Sequence, residues 1–409
     1  MKIGLLAYHS VCNFGATLQL LSTYTYLLNH RHTPIIINWV PEDLEEYYRS
    51  CTPKTQFECQ KSVRRQLWKE TDLCRNSQEV AQAIRKEGIE AVIVGSDAVA
   101  QCHPFLERVT FPCKTVIAIG KNTSDREYPN PFWGVWQDNL EHPIPMAMMS
   151  ASCQDSSYRL IPSGMRKEMR KRIASYKYLS VRDTWTCDMM AYLSKNQVVP
   201  PVTPDPVFAF NQNAHSLIPT REDILKRFHL PEKYLLLSFL DKSNPSVSQE
   251  WIDALARLAE AEGVTCVMLP FSHGNSFGSL PHSISLPLSP IDWYALIKYS
   301  QGYVGNNMHP IVVSLHNQVP FYSFDTYGTR HLNGLVANSK SSKIRHILDQ
   351  AGLGEYRSES LSRHPQMPDA EKIFLLVKNF NPAKSARFAA HCLDSYNEMM
   401  QQILTAIGP

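Results

Sequence analysis

Residues 302–324 confine this chain to few folds. A short β-type run, Gly302–Val304, passes through the polar turn Gly305-Asn306-Asn307 into Met308, His309 and Pro310. The apolar residues Ile311, Val312, Val313 and Leu315 that follow suit a buried helix, and proline is tolerated only in a first helical turn. A second strand, Val319–Phe324, closes the unit. This strand–turn–helix–strand pattern gathers Asn306, Asn307 and His309 at a helix N-terminus, where backbone N–H groups and a partial positive charge favour an anion. The same residues also suit a plain cap, because Asn closes helix starts and a first-turn histidine can simply be solvated.

The chain begins with a similar unit. Ile3–Ala7 reads as a buried strand, a polar loop runs from Tyr8 to Gly15, and a helix follows from about Ala16 to Asn29. Pro34–Trp39 is the next strand, which makes a βαβ unit. Ligands approach such units at the carboxyl ends of the strands. Gly15 there permits close backbone approach and Asn13 can hydrogen-bond a hydroxyl, although a structural turn is the better account of this segment. The strand Ala91–Val94 ends in Gly95-Ser96-Asp97, which brings a hydroxyl and a carboxylate to the same crevice or caps the following helix. Tyr178–Asp183 is a strand ending on Arg182, a planar, permanently charged fork suited to carboxylate or phosphate. A structural Arg182–Asp183 pair is the competing reading. Between them, residues 121–141 form a long aromatic loop, of a length usually functional or mobile.

Four prolines around Asp205, within Val198–Phe208, mark a crossing into a second half. That half starts afresh with the strand Tyr234–Phe239, a helix over Ser248–Glu262 and a strand over Val264–Leu269, and reaches residues 302–324 after a helix over Ile291–Tyr299. Strands alternating with helices in both halves predict an α/β protein of two doubly wound, Rossmann-like domains facing across a cleft. The expected divisions are 1–215, 216–365 and a pair of C-terminal helices over 366–409 packing back on the domains.

Composition narrows the function classes. At 409 residues two domains are expected, and 44% hydrophobic with 19% charged residues describes a globular chain with sizeable cores. Lys plus Arg (41) nearly balance Asp plus Glu (38), which argues against nucleic acid as a partner. The one basic run, Arg166–Arg172, fits the solvated face of a helix or a contact with a phospholipid surface. Ten scattered cysteines show no zinc or disulfide spacing and read as free thiols in a reducing cytosol. The histidines show no ligand-like pattern, so no metal is expected. Met1–Tyr8 reads as a first strand rather than a signal peptide, and no run of 18 apolar residues occurs. A cytoplasmic location follows, with room for peripheral contact at the inner face of the membrane.

Six stretches occur in a telling order: YHSVCNFGATLQ after the first strand, VGSDAV and LSVRD at strand ends, PDPVF at the crossing, NNMHPIVVSLHNQVPF in the second half, and SSKIRHIL near its end. Together they resemble the polysaccharide pyruvyl transferase family, whose members are similar to GT-B folds, over most of residues 1–355. The resemblance implies transfer of pyruvate from phosphoenolpyruvate to two sugar hydroxyls, forming a cyclic ketal on a capsule, cell-wall polymer or other surface glycan. It implies no cofactor beyond phosphoenolpyruvate as donor substrate, and a lipid- or nucleotide-linked sugar acceptor. The family's histidine falls on His309, its arginine after the strand on Arg182, and the residues before the histidine on Asn307 and Met308. The chain departs from the pattern at Asn306, often acidic in relatives, at Pro310, often small, and at Asn307, where some relatives carry arginine. Arg330, Lys343 and Arg345 are downstream candidates to supply that charge.

The chemistry assigns roles. Phosphoenolpyruvate carries a carboxylate and a phosphate, so it calls for cationic forks and N–H donors: Arg182, the helix start with Asn306, Asn307 and Met308, and Arg330. Protonating its methylene carbon needs a general acid titrating near neutrality, a role for His309. Asn13, Gly15 and Ser96 would hold the acceptor on the first domain, opposite the donor side, and Asp97 would take the hydroxyl proton. A helix N-terminus lowers a histidine's pKa while a polyanionic donor raises it, and the sequence leaves that balance open. Two rival readings share the cleft: a glycosyltransferase using a nucleotide sugar, and a non-catalytic member that binds a glycan.

Overall fold

The computed structural model describes residues 1–113, 116–240, 247–325, 329–331, 336–359 and 368–408. Two five-stranded parallel sheets organise it. In the first, the order across the sheet is Thr33–Ile36, Lys2–Leu6, Ala91–Asp97, Met146–Ala151, Tyr178–Val181. In the second it is Thr265–Met268, Tyr234–Ser238, Gly302–Gly305, Phe321–Asp325, Arg357–Glu359. All the strand pairings within these sheets are parallel. Met146–Ala151 and Tyr234–Ser238 are buried at every position, as strands covered by helices on both faces must be. The doubly wound pair expected from the alternating pattern is therefore what the chain forms.

Both sheets share one wiring, and it fixes where ligands can bind. In each, the second strand lies outside the first while the third lies on its other side. The connections diverge between the first and third strands, and the crevice opens at their carboxyl ends. In the first sheet this is the gap between the loop after Leu6 and the tip at Ser96 and Asp97. In the second it lies between the end of Tyr234–Ser238 and Asn306-Asn307.

The helix Phe14–Asn29 joins the two halves. It is buried at 13 of its 16 residues because it packs on its own sheet and on the crossing segment as well. Ser22 Oγ donates to Pro206 O at 2.7 Å, Asn213 Nδ2 donates to Ser22 O at 3.1 Å, and the Phe14 ring lies 5.3 Å from that of Trp293. Leu5 and Ile93 from the first sheet and Tyr234 and Leu236 from the second belong to one continuous apolar core. The 26-residue helix Pro382–Ile407 touches both halves. Ser385 Oγ donates to Leu315 O at 2.8 Å near its start, and Met399 meets Ser150 Oγ at 3.3 Å further along.

One expectation is corrected here. The aromatic segment 121–141 packs as three short 3-10 turns, with Trp133 and Trp136 fully buried in the first domain's core. Tyr8 Oη donates to Asp125 there at 2.6 Å. Its length reflects core filling by large rings rather than mobility. No helix among the described residues is long and apolar enough to cross a membrane.

Candidate active site

Arg182 lies just past the strand Tyr178–Val181 and is 3% exposed. Its fork is occupied. Nη1 donates to Asp205 Oδ2 at 2.7 Å and Nη2 to Asp97 Oδ1 at 3.0 Å. The alternative partner, Asp183, is engaged elsewhere: it accepts from Thr186 N at 2.7 Å as the cap of Thr184–Ser194, and from Ser152 Oγ at 2.8 Å. Arg182 is thus a buried clamp between two carboxylates. Removing one partner of such a buried pair costs roughly 3–5 kcal/mol because a charge is left uncompensated.

Asp97 closes its strand with φ +76°, a left-handed conformation that non-glycine residues adopt only when their surroundings hold them there. Burial pushes its carboxyl up, but the charges of Arg182 and Lys343 outweigh that and hold it below the usual carboxylate range. Neighbouring Ser96 is buried, and its Oγ has no hydrogen-bond partner among the described residues.

His309 comes from the opposite half, as the second residue of the helix Met308–Asn317. Its ring lies flat against Gly15: a methyl group built on that glycine would sit 2.0 Å from the imidazole Cγ. The close approach that Gly15 permits is therefore to the His309 ring. His309 is 6% exposed, and Nε2 has no hydrogen-bond partner among the described residues. Burial lowers its pKa, Arg182 and Lys343 push the same way, and Asp205 and Asp97 oppose them. The balance left open in the sequence falls, among the protein's own groups, on the neutral side.

The remaining predicted residues sort by position. Asn13 caps the helix Phe14–Asn29, with Oδ1 accepting from Ala16 N at 3.3 Å. Asn306 is buried and ties strands together, its Oδ1 accepting from Leu240 N at 3.0 Å and its Nδ2 donating to Phe324 O at 2.9 Å. Met308 packs into the core. Asn307 stands at the cap position, yet its side chain makes no cap hydrogen bond among the described residues. Arg330 is on the short strand Thr329–His331, and its side chain lies outside the described residues. Arg345 reaches Asp349 at 3.4 Å.

Two charged residues complete the cluster. Asp205 is 1% exposed and accepts from Arg182, from Gln19 Nε2 at 2.5 Å and from Val207 N at 3.0 Å. Its sequence signal was an acid set between Pro204 and Pro206, whose rigid backbone can hold a carboxylate where a flexible one would not stay. Lys343, named only in reserve, is 6% exposed at the first position of the helix Lys343–Ala351. Burial and then the charge of Arg182 lower its pKa to about 8, against the opposing pull of Asp97, Asp183 and Asp155. Two cations and two carboxylates therefore balance around a neutral imidazole. Beside Cys12, on the first domain, a pocket of about 220 Å³ offers Tyr48 and Phe57 with Asn38, Gln60 and Glu45.

A family model for polysaccharide pyruvyl transferases matches residues 13–327. No curated protein sequence matches. Similar solved structures include a putative UDP-N-acetylglucosamine 2-epimerase from Listeria monocytogenes, 11% identical over 97% of this chain and 96% of that one, with TM-score 0.45. The UDP-GlcNAc 2-epimerase from Neisseria meningitidis, bound to UDP-GlcNAc, is 10% identical over 97% and 100%, with TM-score 0.48. A ugt transferase from Siraitia grosvenorii in complex with UDP is 14% identical over 100% of both chains, with TM-score 0.43.

Proposed function

This chain belongs to the polysaccharide pyruvyl transferase family, and from that premise we propose that it moves pyruvate from phosphoenolpyruvate onto two hydroxyls of a sugar in a surface-polysaccharide precursor. The product is a cyclic ketal, and inorganic phosphate leaves. The observation that carries this reading is His309: a buried imidazole pressed on Gly15 from the opposite half, with Nε2 unpartnered among the described residues.

In the proposed sequence, His309 protonates the methylene carbon, and C2 gains oxocarbenium character. The first sugar hydroxyl adds to C2 and gives up its proton to Asp97. Phosphate then departs from C2 carrying away the proton held by Asp97, and the second hydroxyl takes its place, returning its own proton to His309. Asp97 is a weak base because Arg182 and Lys343 hold it ionised, which suffices for attack on so electrophilic a carbon. Arg182 keeps Asp97 in place and adds its charge to the donor pocket. The donor brings negative charge into a balanced site, which favours proton uptake at His309 and so arms the acid on binding. Lys343 and the open start of the helix Met308–Asn317 supply further positive potential.

The test is phosphate release from phosphoenolpyruvate with β-galactoside and N-acetylmannosamine acceptors. Wild type should release phosphate with at least one acceptor, and His309→Ala should lower the rate by about 10²–10⁴-fold, the usual contribution of general acid catalysis. Phosphoenolpyruvate should raise the melting temperature more than a nucleoside diphosphate does. No phosphate release with any acceptor, together with unchanged phosphoenolpyruvate binding by His309→Ala, would sink the proposal.

A further inference from the structure

The outer edge of the first sheet carries a concentration of charge that the proposed reaction does not use. An open groove of about 800 Å³ runs between the helices Ser163–Ser175 and Thr184–Ser194. Five cations line it, Arg159, Arg166, Lys167, Arg170 and Lys195, against the single carboxylate Asp188. The whole chain carries only +3, so the groove holds its net positive charge and the remainder is close to neutral.

The basic run at 166–172 suited a solvated helix face, and the structure divides it. Lys171 pairs with Glu168 and Arg172 with Asp138, outside the groove. Arg166 and Arg170 line the groove and are held in place. Arg170 Nε donates to Leu193 O at 3.1 Å, while Arg166 donates to the Tyr192 hydroxyl with its guanidinium 5.3 Å from that ring's centroid. Guanidiniums fixed beforehand lose less side-chain entropy when a ligand arrives. Arg159 enters from the turn Tyr158–Leu160 and Lys195 from the end of the second helix. Cations from three separate elements thus converge on one concavity, which a merely solvated helix face does not produce.

We infer that this groove binds a phosphate-bearing anion of at least two negative charges, of diphosphate size. Guanidinium forks match phosphate oxygens two at a time, and ammonium groups add point charge. The same chemistry is presented by a soluble diphosphate and by phosphorylated headgroups at a membrane surface. The site stands apart from the cleft and holds whether or not the transferase reading does.

Pyrophosphate is the probe, titrated calorimetrically into the full chain at low and moderate salt. Wild type should bind it, more weakly as salt rises. The variant Arg159→Gln/Lys167→Gln/Lys195→Gln, at three exposed positions, should bind at least tenfold more weakly. The control Lys226→Gln/Lys233→Gln/Lys372→Gln, at exposed lysines of the second half, should stay within twofold of wild type. Phosphatidic acid and phosphatidylcholine vesicles separate the sources. Capture by the former alone, displaced by pyrophosphate and lost in the groove variant, supports a headgroup; pyrophosphate binding without capture supports a soluble ligand. Absence of binding to either probe, or equal loss in the two triple variants, overturns the proposal.

Discussion

At the scale of single residues, His309 and Gly15 act as one unit. The ring occupies the space a side chain at position 15 would need, and the helix bearing Gly15 is packed on both faces, so neither can yield cheaply. Gly15→Ala should therefore push the imidazole out of its place. Overpacking of this kind costs about 1–3 kcal/mol, and displacing a catalytic group by an ångström costs on the order of 10²-fold in rate. Chemical denaturation and the phosphate-release assay would read the two effects. Loss of stability with the rate kept within twofold of wild type would remove His309 from the chemistry. The sequence marked Gly15 as a point of close approach without saying to what, because its neighbour comes from the other half of the chain. Arg182 was legible as a charge at a strand end, but its carboxylate partners Asp97 and Asp205 lie far from it in sequence and were not.

At the scale of elements, helix starts distinguish structure from site. Asn13, Asp183 and Ser342 each close a helix with a side-chain hydrogen bond, whereas Asn307 occupies the cap position of Met308–Asn317 without one among the described residues. That leaves the end of this helix as a place for an anion. Asn307→Asp should stabilise the helix by about 0.5–1 kcal/mol through the cap and the helix dipole. The new carboxylate should also repel the donor and raise KM for phosphoenolpyruvate at least tenfold. A raised melting temperature with an unchanged KM would mean that the donor does not approach this end. From sequence the closed caps and the open one look alike, since the same short polar residues serve both. The strands and helices themselves were readable because fully apolar runs and 3.6-residue spacing are local signals. At residues 121–141 the irregular connection was readable, but not that its aromatic residues fill a core.

At the scale of the whole molecule, the two-sheet architecture was legible in the repeated alternation of strand and helix, while the site's residues were legible one by one and their contacts were not, because these form where distant segments converge on a shared core. That convergence also buries histidines at the seams, and this sets how stability should respond to pH. His9 is held by Ala7 O and Asn38 Oδ1 beside the first crevice. Burial and Arg64 lower its pKa to about 4, with Glu70 opposing. His316 accepts from Asn211 N–H at 3.4 Å where the crossing meets the second half, and burial with Lys298 lowers it to about 3. His309 shifts in the same direction. Each folded value lies below the unfolded one of 6.5, so the unfolded chain takes up protons first as pH falls. The stabilisation is complete above pH 6.5 and drains away below it, at up to about 1.4 kcal/mol per pH unit for each histidine. For His9 the loss continues to about pH 4 and for His316 to about pH 3. Asp97, whose pKa is depressed from 3.8, adds its own loss only below that value, past the His9 window and overlapping only the acid end of that of His316. Urea unfolding between pH 8 and pH 4.5 should show a plateau and then a steep decline beginning near 6.5. His316→Gln keeps a side-chain acceptor for Asn211 and removes one titrating group, so it should reduce the slope below pH 6.5 by about one proton. A stability that stays flat from pH 6.5 to pH 5 would show that these histidines are not buried in neutral form.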